Sequence, residues 1–318
     1  MSRREGSPFT GVASIALKEA ADHLTSARMH LSMLLVLLTA LGSVYAAIGQ
    51  LKETVSEDPF LFLRLLTTAQ EPLPSFVAFL AFLLPLVAIA LGFDAINGEY
   101  NRRTMSRILS QPIYRDALLA GKYLGALLII GICLVTLFLL VTGMGILLLG
   151  LPPSGEEILR AFAFLLIALV YAGVWLAAAI LFSAVFRAPT TSALAALTLW
   201  LVLTVFWSIV TPIAARAFVP DDPLDPETTV RQLEAAKAIG RLSPNTLFGE
   251  MTLAILNPAT RTLGLLFLRD LDLAVVGSPL PFGQSLVLVW PHFASMIAAL
   301  LVVFTIAYVV FQRQEIRA

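Results

Sequence analysis

The sequence predicts an all-α protein that crosses a membrane six times, and three observations carry that prediction. Hydrophobic residues fill 58% of its 318 positions and charged residues only 13%. Mean hydropathy is +0.88, well beyond what a soluble domain sustains. Six stretches, 31–49, 76–93, 124–149, 161–186, 190–212 and 286–311, contain no Asp, Glu, Lys or Arg. A hydrocarbon core of ~30 Å takes about 20 helical residues, so each stretch is a span, the second being short and holding Pro85. In lipid the backbone must satisfy itself, and runs this uniformly apolar do so as helices rather than barrel strands.

The elements follow in order. The first 28 residues are mixed in charge and lack the pattern of a cleaved signal, so the first apolar run is expected to stay as a span. Over 11–30, Ala13, Ala16, Leu17, Ala20, Leu24, Ala27 and Leu31 fall on one helical arc with Lys18, Asp22 and Thr25 opposite, which predicts an amphipathic helix lying at the membrane surface. Between the fifth and sixth spans, segment 213–285 shows three helix starts, Asp225-Pro226, Ser243-Pro244 and Asn257-Pro258. Each sets a capping side chain before a proline suited to a first helical turn. The expectation is a small extracytoplasmic helical cap whose Leu247, Phe248, Met251, Leu253 and Ile255 pack onto the bundle or the interface; a solvated connector is the alternative.

Charge sets the sidedness. The termini with loops 94–122 and 187–189 hold 12 Lys or Arg against 7 Asp or Glu, and the opposite side holds 9 against 14. Short basic loops stay in the cytoplasm, so both termini are expected inside, in a multi-pass plasma-membrane protein.

Chemistry that is missing narrows the function. The six apolar cores hold no ionisable carboxylate, amine or guanidinium, so nothing in them couples transport to an ion gradient. His292, after Trp290 and Pro291, reads as an interfacial anchor. The three His and the single Cys133 make no metal-ligand spacing, and no cofactor site is expected in this chain. Ser183, Ser192, Ser208 and Ser295 lie in apolar helices, where serines ordinarily bond the backbone rather than attack substrates. Gly121-Lys122 is no phosphate loop, because Asp116 and Tyr123 stand where Gly and Ser or Thr belong. An enzyme is not expected.

One loop spends five of the chain's 21 Lys and Arg between Arg102 and Lys122. Helical spacing over 99–109 places Glu99, Arg103 and Arg107 in one row beside Tyr100 and Thr104, with Met105, Ile108 and Leu109 on the other side. Pro112 ends this short helix, and a second helix from near Tyr114 runs on to Leu149. From Ala117 that is about 50 Å, longer than a bilayer is thick, so its start projects into the cytoplasm. Such a two-faced helix suits a cytoplasmic partner; a basic collar at the headgroups is the other reading.

The loop FDAINGEYNRRTMSRILSQPIYRDALLAGKYLG (93–125) resembles the signature cytoplasmic loop of the type-2 permease family of ABC exporters. Glu99, Thr104, Leu109, Ser110, Pro112, Arg115, Gly121 and Lys122 match its recurring positions. ALKEAADHLTSARM, LSPNTLFGEMTLAILNP and the closing FQRQEIRA extend the resemblance over nearly the whole chain. Arg103 departs where the family often has Gly, and Met105 where Leu is common. The nearest branch is the permease of nitrous-oxide-reductase maturation systems, although Met and His do not cluster here as soft-metal ligands would. The resemblance implies a single permease domain over 1–318 in a bacterial or archaeal inner membrane. Its partners are then membrane lipid, a second permease copy or paralogue, and a separate cytoplasmic ATPase that carries the ATP and Mg; no nucleic acid is involved. It also implies a coupling helix at 98–111, with Glu99, Tyr100, Arg103, Thr104, Met105, Arg107, Ile108 and Pro112 at the ATPase contact. Arg187 would join them from a second contact at Phe186–Pro189. The rival reading is a non-transporting scaffold or signal relay whose outer cap binds a partner.

Overall fold

The computed structural model describes residues 11–53, 60–71, 73–105, 114–150, 152–220, 227–260 and 279–314, and no strand forms among them. Helix α1 (Val12–Leu24) stops where Thr25 Oγ1 turns back to donate to Ala21 O. Ser26 Oγ then accepts from the Met29 N–H, opening α2 (Ala27–Glu53). Ala27 and Leu31 therefore belong to α2 rather than to the arc expected on α1. Short α3 (Leu61–Thr67) precedes α4 (Phe76–Gly92), whose first turn is capped by Ser75. One-turn α5 (Asn97–Asn101) follows, then α6 (Arg115–Leu149). A capping box, Ser154 with Glu157, starts α7 (Gly155–Val185) six residues before the expected span. Pro189 opens α8 (Pro189–Leu201), which passes through a π-helical turn (Val202–Phe206) into α9 (Trp207–Phe218). Then come α10 (Thr228–Gly240), α11 (Pro244–Leu256) and α12 (Phe282–Arg313).

Six of these helical runs are long and apolar enough to cross a membrane, and they coincide with the six charge-free stretches. α7 is the central one. It packs against α4, α6, α8, α11 and α12, and buries Tyr171 and Trp175. Ala168, Ala172, Gly173, Ala177 and Ala179 on α7 let its neighbours approach closely. At Gly92 of α4 an added Cβ would lie 2.8 Å from Ala179 Cβ. The runs α8–α9 and α12 are by contrast mostly uncovered.

Segment 213–285 does form helices, but α11 inserts into the bundle rather than resting on its end. It touches α3, α4, α7, α12 and the π turn. Its Asn245 Oδ1 accepts from Tyr171 OH at 3.2 Å, and Tyr171 lies about 24 Å along α7 from that helix's start. The other end of α11 reaches back to that start, where Ile255 O accepts from Arg160. α10 runs back along α9 while α11 returns along α7, so the turn between them sits halfway down α7. Two more bonds hold the turn: Ser243 Oγ donates to Leu203 O, and Trp207 Nε1 donates to Ile239 O. Widening of the helix at 202–206 leaves carbonyls without their usual partners, and Ser243 supplies one. Leu247, Phe248, Met251 and Ile255 are buried as expected, whereas Leu253 points outward. The start expected at Asp225-Pro226 lies outside the described residues, and so does the stretch 261–278 beyond Asn257-Pro258.

Candidate functional site

The chain's described termini, α1, the 93–105 corner and the 186–189 turn share one end of the bundle. Lys122 organises it. Only 4% of its side chain is exposed, and Nζ donates to Glu19 Oε1 of α1 at 2.8 Å and Glu99 Oε1 of α5 at 3.1 Å. Such a charge is tolerable in the interior because two carboxylates meet it. α1 reaches Lys122 because Gly121 and Gly125 face it: a Cβ on Gly125 would stand 2.6 Å from Ala16 O, and one on Gly121 2.6 Å from Ile15 Cγ2. The small-residue pair therefore serves packing within one chain. On the far side of α1, Leu17 and Leu24 are exposed. A cavity of about 200 Å³ remains beside this cluster, lined in part by Glu19, His23, Asp94, Glu99 and Arg102. Burial pushes the His23 imidazole below its ordinary value, and the Lys122 charge adds to that.

Glu99 also determines where α5 ends. Thr104 Oγ1 donates to its carboxylate, the Thr104 N–H donates to Glu99 O at 3.0 Å, and the Arg103 N–H donates to Tyr100 O at 3.0 Å. That pair of backbone bonds is a Schellman cap, with Arg103 at φ 56° in the left-handed position that glycine usually takes. The helix expected through 99–109 therefore breaks at Arg102–Arg103, and Glu99 and Arg103 do not form a helical row. The side chain of Thr104, already bound to Glu99, favours the cap over another turn.

Two asparagines join this corner to the 186–189 turn. Asn97 Nδ2 donates to Phe186 O at 3.1 Å and Asn101 Nδ2, one turn on, to Arg187 O at 3.2 Å. Ser183 Oγ accepts from the Ile96 and Asn97 N–H groups at 2.9 and 3.2 Å. The end of α12 is fastened to the same face. Arg115 Nη1 donates to Gln312 O and Gln314 O, Gln312 Nε2 donates to Asp116, and Gln314 Nε2 donates to Ala184 O. Two loops distant in sequence are thus tied in one block to each other and to α6 and α12.

Of the residues expected at the ATPase contact, the structure brings Glu99, Tyr100, Arg103, Thr104 and Arg187 to this block. Arg103 and Arg187 are exposed, whereas Glu99 and Thr104 are spent on the internal clasp. Met105 is 1% exposed and packs into the core, so it offers no apolar surface to a partner. Arg107, Ile108 and Pro112 lie outside the described residues. Reading the sequence did not single out Asn97, Asn101, Gln314 or Glu19. An acidic residue facing a small-residue helix was the available signal for Glu19; nothing local marks the others.

The opposite end holds a second buried cation that the expected span boundary hid. Arg160 is fully buried, bound to Glu156 Oε1 at 2.8 Å. It also donates to Ile255 O, Leu280 O and Ser285 Oγ, linking α11, the lead-in to α12 and α12 itself. Ser154-x-x-Glu157 marks the true helix start, and Glu156 with Arg160 at i, i+4 is a readable pair. His292 corrects another expectation. Trp290 faces outward as an anchor would, but His292, about 200° further round α12, turns inward with Nε2 2.8 Å from Glu250 Oε2. Glu250 also accepts from Arg241 Nε at 2.9 Å. Ionisable groups absent from the spans thus enter the bundle on α11 and the turn before it.

Among the described residues no group of three or more His, Cys, Asp or Glu is placed to hold a metal ion. Residues 13–316 match the ABC-2 family transporter protein family. The chain is 29% identical over 281 residues to the "Probable ABC transporter permease protein NosY" of Pseudomonas aeruginosa, covering 86% of this chain and 88% of that relative. It is 28% identical over 206 residues to the protein of the same name from Stutzerimonas stutzeri, covering 63% and 68%. With six membrane-crossing helices and a family match spanning nearly its whole length, the chain belongs to the ABC-2 transporter family as a multi-pass permease.

Proposed function

We propose that this permease is the transmembrane subunit of an exporter driven by ATP hydrolysis on a separate cytoplasmic ATPase, which carries the ATP and Mg. The end bearing Lys122 faces the cytoplasm and receives that ATPase, and a second copy or a paralogue completes the transmembrane path. α1 lies with Leu17 and Leu24 in the inner-leaflet interface of the plasma membrane. The observation that carries this reading is the block itself. Asn97 and Asn101 clamp two turns far apart in sequence into one surface, so force applied there reaches α6, α7 and α12 together. Exposed Arg102, Arg103 and Arg187 have no ion-pair partner among the described residues, as suits a surface that meets another protein. The positive excess on this side agrees with a cytoplasmic orientation.

Reconstitution tests it. The chain in lipid nanodiscs, mixed with a purified candidate ATPase, should raise ATP turnover, and Arg103→Glu should abolish the rise without changing yield or thermal midpoint. Turnover indifferent to the wild-type chain would remove the reading. Single cysteines at 102 and 222 in a Cys133→Ala background should label from opposite sides; labelling from the same side would overturn the orientation.

A further inference from the structure

A cleft of about 770 Å³ opens beside the asparagine clamp, lined among others by Asn97, Tyr100, Ser183, Phe186, Arg187 and Gln314. Three of its polar atoms are buried and have no hydrogen-bond partner among the described residues: Asn97 Oδ1, Tyr100 OH and Gln314 Oε1. Asn97 is 1% exposed, so its carbonyl oxygen is a rigid acceptor fixed from behind by the hydrogen bond that its Nδ2 donates to Phe186 O. Buried polar atoms in folded proteins are almost always paired, and three orphans in one cleft mark it as a place completed by another molecule. The cleft joins a positive surface. Arg187 contributes to its lining, Arg103 stands on the turn beside it, and neither is paired among the described residues.

We propose that this cleft is a socket for the ATPase subunit, filled by an acidic segment whose carboxylate meets Arg187 while an adjacent N–H- or O–H-bearing side chain reaches Tyr100 and the two acceptor oxygens. The inference rests on the ATPase partnership proposed above and adds the partner's chemistry and point of entry. The surface is then more than a basic helix lying on the ATPase: part of the ATPase enters the permease, between α5 and the end of α7. A bond to Asn97 or Gln314 acts directly on the clamp between the two turns.

The test uses the full chain in nanodiscs and the ATPase that it stimulates, with affinity read by a labelled ATPase at several salt concentrations. Tyr100→Phe removes one oxygen that bonds nothing among the described residues, so folding is preserved; it should weaken binding about fivefold. Arg187→Glu, at an exposed position, should weaken it about thirtyfold and flatten the salt dependence, with Arg187→Lys in between. If both Tyr100→Phe and Arg187→Glu bind within about twofold of wild type while Arg103→Glu does not, the ATPase partnership stands and the socket is overturned. If Tyr100→Phe instead loosens permease dimers and leaves ATPase affinity intact, the occupant is a second copy and the proposal is overturned. If the wild-type chain neither binds nor stimulates any ATPase, the functional reading fails instead.

Discussion

Lys122 and Arg160 sit at opposite ends of the same bundle, both buried, and each is held differently. Lys122 is an ammonium between two carboxylates from two other helices, so removing it leaves two negative charges facing each other. Arg160 has one carboxylate, on its own helix and 39% exposed, and spends its remaining donors on two carbonyls and a hydroxyl from elsewhere in the chain. The first is a charge balance and the second a hydrogen-bond hub. A guanidinium suits the second role because its planar fork donates in several directions at once, whereas a compact ammonium suits the first.

The largest effect should come from breaking the hub. Arg160→Met would leave Ile255 O, Leu280 O and Ser285 Oγ without this partner at about 1–2 kcal/mol each, about 3–6 kcal/mol in all. A thermal-unfolding series in nanodiscs reads this as a collapse of the midpoint, and adding Glu156→Gln should recover almost nothing, because Glu156 is half in solvent. Lys122→Met should cost about 3 kcal/mol, at the low end for an orphaned buried pair because Glu19 and Glu99 keep some exposure. Here Glu19→Gln with Glu99→Gln should restore much of the loss. Equal recovery at both ends would erase the distinction between balance and hub.

A smaller effect tests how α1 is brought to Lys122. Gly125→Ala forces a Cβ against Ala16 O, a backbone atom that cannot swing aside, and should cost about 2 kcal/mol. Gly143→Ala, on the same helix with nothing within 4 Å, should be neutral or gain up to about 1 kcal/mol. Thermal midpoints in nanodiscs check the pair, with Gly125→Ala falling below wild type and Gly143→Ala at or above it. The smallest effect is expected at Arg103. Arg103→Gly relieves a left-handed backbone at φ 56° and should stabilise the chain by about 0.5–1 kcal/mol, while Arg103→Val should destabilise it. If Arg103→Gly also weakens ATPase stimulation, the arginine has been kept for the partner at some cost to the fold.

The six spans were legible because hydropathy is a property of a stretch of chain and needs no knowledge of neighbours. The charge-free stretch falls six residues short of the central helix, because that helix starts at the Ser154–Glu157 capping box and not after the last charge. Of the signature residues, Glu99 and Thr104 are expected at the partner surface, but the structure turns them inward into one clasp with Lys122, while Gly121 admits α1 and Arg115 fastens the end of α12. A motif shows which residues recur together, not whether they face solvent or each other.

By itself the sequence determined the membrane class, the number of spans and the cap at Ser243-Pro244, because apolar length and capping chemistry act over a few residues. Only the tertiary structure decided which groups became partners. Lys122 meets Glu19 across 103 positions and Asn97 meets Phe186 across 89, and neither distance leaves a local trace. It also decided that α11 enters the bundle while α10 stays outside on α9. Helix propensity and capping were the same whether α11 lay on the surface or inside. The π turn at 202–206, Tyr171 and the groove along α7 gave its polar groups partners at mid-depth, and that made burial the stable outcome.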